Sequence, residues 1–157
     1  MKKIIFALAF MLFGTVLSVQ AQDYNTGIGV RGGTFSGLTI KHYLTESTAL
    51  EGVLTTRWGG WMISGTWEKH APAFDVQNLK WFYGVGGQVG FWNDQAYWGD
   101  VNHGNYTVLG VHGALGLEYT FKEIPFSLGA DWKPALNISG YNGFWGDNVG
   151  LSLRYNF

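Results

Sequence analysis

The chain has 157 residues, of which 13% are charged and 17% aromatic, with 24 glycines, no cysteine and a formal net charge of −1. That hydrophobicity excludes a disordered chain, and the missing thiol excludes disulfides, thiolate metal sites and a lipoprotein anchor. The near-neutral charge gives no basis for a nucleic-acid partner, and the length holds one domain plus a processed segment.

Residues 1–21 read as a secretory signal peptide. Lys2 and Lys3 form a basic n-region, Ile4 to Val19 an apolar h-region, and Ala21 a small residue at the cleavage point. Removing 21 of the 157 residues leaves 136, and losing two lysines moves the formal charge from −1 to −3. No other segment carries the apolar run of a membrane helix. What remains, residues 22–157, is alternation, glycine and aromatics.

Period-two alternation, the signature of half-buried strands, predicts eight segments in chain order. Thr26 to Gly32 sets Ile28 and Val30 against Gly27, Gly29 and Arg31. Gly37 to Leu44 sets Leu38 and Ile40 against Thr39, Lys41 and Tyr43. Ala49 to Trp58 sets Leu50, Leu54 and Trp58 against Glu51, Thr55 and Arg57. Trp61 to Lys69 sets Trp61, Ile63 and Trp67 against Ser64, Thr66 and Glu68. From Leu79, the rings and valines of Trp81 to Phe91 oppose Lys80, Gly84, Gly86, Gln88 and Gly90. Val108 to Phe121 sets Leu109, Val111, Leu115, Leu117 and Tyr119 against His112, Ala114, Gly116 and Glu118. Pro125 to Lys133 sets Phe126, Leu128, Ala130 and Trp132 against Ser127, Gly129, Asp131 and Lys133. Last, Val149, Leu151, Leu153, Tyr155 and Phe157 alternate with Gly150, Ser152, Arg154 and Asn156.

The connections alternate between short and long. "LTESTA" and "FKEIP" are tight turns, "HAPAFDVQN" is intermediate, and "NDQAYWGDVNHGNY" and "NISGYNGFWGD" are long. An even strand number returns both termini to the short-turn side, the asymmetry of membrane barrels. A soluble, lipocalin-like barrel would put the apolar face inside. Volume argues against it. Trp58, Trp61, Trp67, Trp81, Tyr83, Phe91, Tyr119, Phe121, Phe126, Trp132, Tyr155 and Phe157 share that face. Rings of about 150–250 Å² each overfill an eight-stranded interior. The opposite face is rich in glycine, alanine and serine. It also carries Arg31, Lys41, Arg57, Lys80, Lys133 and Arg154 with Glu51, Glu68, Glu118 and Asp131. A basic group in lipid near the midplane costs about 2–4 kcal/mol, so these ten groups are expected inside, as an interior network of paired charges. The outward rings concentrate near strand ends, as an aromatic girdle does.

From this point the sequence resembles a small bacterial outer-membrane β-barrel of the opacity-protein/OmpA-like type, over essentially all of residues 22–157. The resemblance rests on the signal peptide, the eight segments and the ending "LSLRYNF"; "EYTFKEIPFSLGADWKPALN" and "FWGDNVGLSLRYNF" also resemble small barrels from Bacteroidetes-like bacteria. It implies an all-β, eight-stranded, antiparallel, up-and-down transmembrane barrel in a Gram-negative outer membrane. It further implies that Leu153, Tyr155 and Phe157 form the signal read by the β-barrel assembly machinery. Full-length OmpA-type proteins carry a periplasmic peptidoglycan-binding domain after the barrel, whereas this sequence stops at Phe157.

Chemistry-bearing motifs are weak. "GIGVRG" matches G-x-G-x-x-G without a helix start and reads as barrel wall. His112 is expected inward, within reach of Glu118 or Ser64, but no motif joins them, so the expectation is no catalytic residue, no cofactor and no metal. "GDVNHGN" lacks EF-hand spacing. Tyr97, Trp98, Tyr106, Tyr141, Phe144 and Trp145 make loops 93–106 and 137–147 candidates for an extracellular ligand. The expected product is a monomer in contact with outer-membrane lipids, plugged by side chains, with a structural or surface-interaction role (adhesion or membrane integrity). The alternatives are a lipid A-modifying enzyme and a narrow, porin-like pore.

Overall fold

The computed structural model describes residues 25–57, 59–92, 106–140 and 143–157. Every element in them is a strand: β1 (Thr26–Gly33), β2 (Ser36–Thr45), β3 (Thr48–Arg57), β4 (Gly60–Pro72), β5 (Leu79–Trp92), β6 (Tyr106–Thr120), β7 (Phe126–Trp132), β8 (Ala135–Ser139), β9 (Gly143–Trp145) and β10 (Val149–Asn156). Neighbours pair antiparallel, and β1 pairs with β10 to close the sheet on itself. β7 and β8 follow one another along β6, and β9 and β10 follow one another along that stave, so the ten strands make eight staves.

The break between β7 and β8 has a covalent cause. Pro134 has no N–H to give to the ladder. Opposite Lys133 and Pro134 stand Gly146, Asp147 and Asn148, a bulge that keeps both staves running. The hairpin therefore continues past the point where the alternation fades at Lys133. Residues 137–139 and 143–145, expected as loop, are strand. β4 likewise runs on to Pro72, which shortens the connection expected from His70 to a turn over Ala73–Asn78.

The register fixes the shape. From Glu118 the pairing leads through Gly129, Ser152, Arg31, Gly37, Thr55, Met62 and Gly90, and returns to β6 at Val108, ten residues from its start. With strands ~4.8 Å apart and ~3.3 Å per residue, that stagger tilts the strands by about 40° and gives a backbone radius of about 8 Å. Such a cylinder has room for side chains and little else.

Side-chain facing follows the period-two pattern. Leu38, Leu54, Ile63, Val85, Leu115 and Leu153 are exposed on the outer wall, while Lys41, Glu51, Glu68, Glu118 and Arg154 are buried inside. Both termini of the barrel and the turns at 46–47, 73–78 and 121–125 lie at one end, the turn end. The connections after β1, β3, β5 and β8 lie at the other, the loop end. Trp58 and residues 93–105, 141 and 142 fall outside the described residues.

Candidate functional site

The lumen is filled in two layers. In the turn-side half, three carboxylates face three cations. Lys41 Nζ donates to Glu68 at 2.8 Å and to Glu118 at 2.9 Å. Arg154 Nη1 donates to Glu118 at 2.9 Å, its Nη2 to Glu51, and its Nε to Thr39 Oγ1 at 3.2 Å. Lys133 Nζ donates to Glu51, the Thr39 hydroxyl donates to Glu51 at 2.8 Å, and the Tyr43 hydroxyl donates to Glu118. The six ions come from β2, β3, β4, β6, β10 and the β7–β8 junction. Inward parity on each strand, together with the register, converges them. Positive and negative groups balance, which is what burial of charge requires.

A separate pair lies beside it. Arg31 Nη2 donates to Asp131 at 2.5 Å, and the same guanidinium donates to the Phe35 carbonyl at 2.9 Å and to Asn148 Oδ1 at 3.2 Å. Arg57 and Lys80 stand half-buried at opposite mouths. Arg57 pairs with Asp147 at 2.8 Å at the loop end, and Lys80 donates to the Glu46 carbonyl at 3.0 Å at the turn end. His70 stacks on the Phe82 ring at 5.0 Å and meets the tilted Tyr43 ring at 5.1 Å, with Nε2 3.1 Å from Glu68.

The second layer is apolar and was not read from the sequence. Phe35, Met62, Trp92 and Val108 form a buried cluster at the loop end, with Trp145 packed on it. Trp145 lies 5.7 Å from the rings of both Phe35 and Trp92. The Arg57 guanidinium sits 4.7 Å from the Phe35 ring, and the Trp92 indole donates to the Arg57 carbonyl at 3.1 Å. Trp145, expected on an aromatic loop surface, is thus part of the plug, whereas Phe144 is exposed. The signal available was parity. Phe82 and Trp92 share the inward parity of Lys80 and Gly90, opposite to that of Trp81 and Phe91.

His112 faces the lumen, but neither Glu118 nor Ser64 is its recorded partner. Thr66 Oγ1 lies 2.9 Å from its Nε2. Both residues are buried, between the charged layer and the apolar plug. "GIGVRG" lies on β1 as wall, and "GDVNHGN" lies outside the described residues, as does nearly all of loop 93–106. Asn137 faces inward and accepts from Gln88 Nε2 at 3.0 Å. Among the described residues no cluster of histidines and carboxylates has metal-binding geometry.

On the outer wall, rings pair near both rims. Trp61 and Phe91 lie 4.7 Å apart toward the loop end. Toward the turn end, Trp81 and Tyr83 lie 5.5 Å apart, Tyr119 and Phe121 5.0 Å, and Phe126 and Tyr155 5.4 Å. A closed barrel that is ionic inside and hydrocarbon outside decides the architecture. Its fold is that of a small outer-membrane β-barrel. The crystal structure of the N-terminal β-barrel domain of Pseudomonas aeruginosa OprF is similar to this barrel, with a TM-score of 0.60 and 19% identity over 87% of this chain and 100% of that one. At that identity the likeness is one of fold. No family profile and no curated protein matches the sequence.

Proposed function

We propose that the chain is an integral protein of a Gram-negative outer membrane, working through its wall and its surface loops and not through a pore or a catalytic centre. Its role is structural or adhesive: it stiffens the membrane and presents loops 93–106 and 140–142 outside. The observation that carries this reading is the double closure of the lumen. A solute would have to break a balanced set of buried ion pairs and then displace Trp92, Phe35 and Met62. Each layer alone opposes a continuous water path through a cylinder of about 8 Å backbone radius.

The same observation weighs against the lipid A-modifying alternative. His112 and Thr66 turn into the closed lumen, away from any lipid substrate. Leu153, Tyr155 and Phe157 lie together on the outer side of the last strand, a position suited to recognition by the assembly machinery. The test is planar-bilayer recording on the purified, heat-modifiable protein. The expected outcome is no single-channel current at physiological salt; stable conductance steps would replace this reading with the narrow pore. Mass spectrometry of lipid A from a deletion strain should match wild type, and a missing acyl modification would replace it with the enzyme.

A further inference from the structure

The outer wall is not uniformly convex. Between β5 and β1 it holds a shallow, open apolar groove of about 860 Å³. The groove follows one pairing row, Trp81–Leu117–Ala130–Leu151–Gly32. Its floor is made by the two smallest outward residues of the row, Ala130 and Gly32. A Cβ added at Gly32 would meet no atom within 4 Å, so nothing in this chain's own packing requires a glycine there. The flanks are fixed. The Trp132 indole donates to the Gly146 carbonyl at 2.8 Å, and the Trp81 ring lies against Tyr83.

Direction and length identify an occupant. The row starts at Trp81, near the turn-end rim, and climbs toward the loop end. Four inter-strand steps of ~4.8 Å, inclined by about 40°, rise about 12 Å. That is about half of the ~25 Å apolar band of an outer-membrane barrel, the depth of one leaflet's hydrocarbon. The groove is continuous on both sides with the exposed apolar wall, so hydrocarbon is what meets it. Hydrocarbon bridging from flank to flank would leave a void over Ala130 and forfeit dispersion contacts with its floor. A single chain laid along the row recovers them, between walls that are already set.

We propose that this groove is a binding site for an acyl chain of a phospholipid in the turn-side leaflet, held individually and not as exchangeable solvent. The proposal rests on the outer-membrane reading above. The full chain is folded into nanodiscs of one phospholipid, washed in mild detergent and weighed by native mass spectrometry. Wild type is expected to retain bound phospholipid. Ala130→Leu and Gly32→Leu, which fill the floor with apolar side chains, are expected to lose it. Gly65→Leu, outward on β4 and equally open around its Cβ, is expected to keep it. Heat-modifiable migration of each variant reports folding, and Ala130→Leu serves if Gly32→Leu does not fold. Wild type without retained lipid overturns the proposal, as does unchanged retention in Ala130→Leu. A two-barrel mass abolished by Ala130→Leu overturns it in favour of self-association. A wild-type chain that does not enter nanodiscs overturns the membrane reading along with it.

Discussion

Glu51 is where the lumen's charge balance is most exposed to a single change. Its carboxylate takes bonds from Lys133, Arg154 and Thr39. Glutamine keeps the volume but removes the charge, leaving Glu68 and Glu118 alone to offset three buried cations, Lys41, Lys133 and Arg154. Breaking a buried pair from one side costs about 3–5 kcal/mol. Glu51→Gln should lower unfolding stability by that amount, read from urea titration of tryptophan fluorescence in micelles. The pair at the loop-end rim is the contrast. Asp147 is 57% exposed, and Asp147→Asn should cost less than about 1 kcal/mol in the same titration. On the outer wall the sign of the argument reverses. Leu115 is exposed on the outer wall; on the proposed membrane reading, Leu115→Arg should destabilise the inserted barrel by about 2–4 kcal/mol, seen as loss of the heat-modifiable form.

At the level of elements, the closing seam depends on close backbone approach. A Cβ at Gly29 on β1 would fall within contact distance of the Leu153 carbonyl and 2.6 Å from the Arg154 Cα on β10. These are backbone atoms and cannot swing aside, so Gly29→Val should spread the β1–β10 seam. The expected result is a chain that migrates as unfolded on unheated gels, while Gly65→Val, open on its outer side, migrates as folded. The strands themselves were legible because lipid outside and ions inside impose opposite chemistries on alternate residues, as along Leu50, Glu51, Val53, Leu54 and Thr55. The apolar plug was not, because ring size suggested an outward position for the tryptophans and phenylalanines of the strands. Phe82 and Trp92 break that rule where the facing residue is small. Gly116 pairs with Phe82, and a Cβ on it would come 2.5 Å from the Phe82 ring. β8 and β9 were hidden by Pro134, which reads as a strand stop until the bulge opposite it is seen. The convergence of Lys133 with Glu51, 82 residues apart in the chain, depends on the ten-residue stagger, and no local pattern encodes that.

For the whole molecule, closure means joining the first strand to the last, and Phe157 makes the final rung. Its N–H donates to the Thr26 carbonyl at 2.8 Å and its carbonyl accepts from the Thr26 N–H at 3.2 Å. Its ring stands on the outer wall, stacked at 6.4 Å with Tyr155. Deleting Phe157 therefore removes two seam hydrogen bonds at the membrane edge, where unpaired backbone is costly, and one girdle ring. At about 1 kcal/mol per bond, the loss from the rung alone is about 2 kcal/mol. Two measurements separate this from a recognition role. Refolding into phospholipid vesicles contains no assembly machinery, so the truncated chain should fold there to a barrel that unfolds at lower urea. In cells, a residue that only completes the rung would produce the same modest defect. A residue that is also read by the machinery would make unfolded chain accumulate far beyond what the vesicle result predicts. The second outcome is expected, because Leu153, Tyr155 and Phe157 stand together on the outer side of the strand that closes the barrel against β1. Equal defects in vesicles and cells would reduce Phe157 to a structural rung.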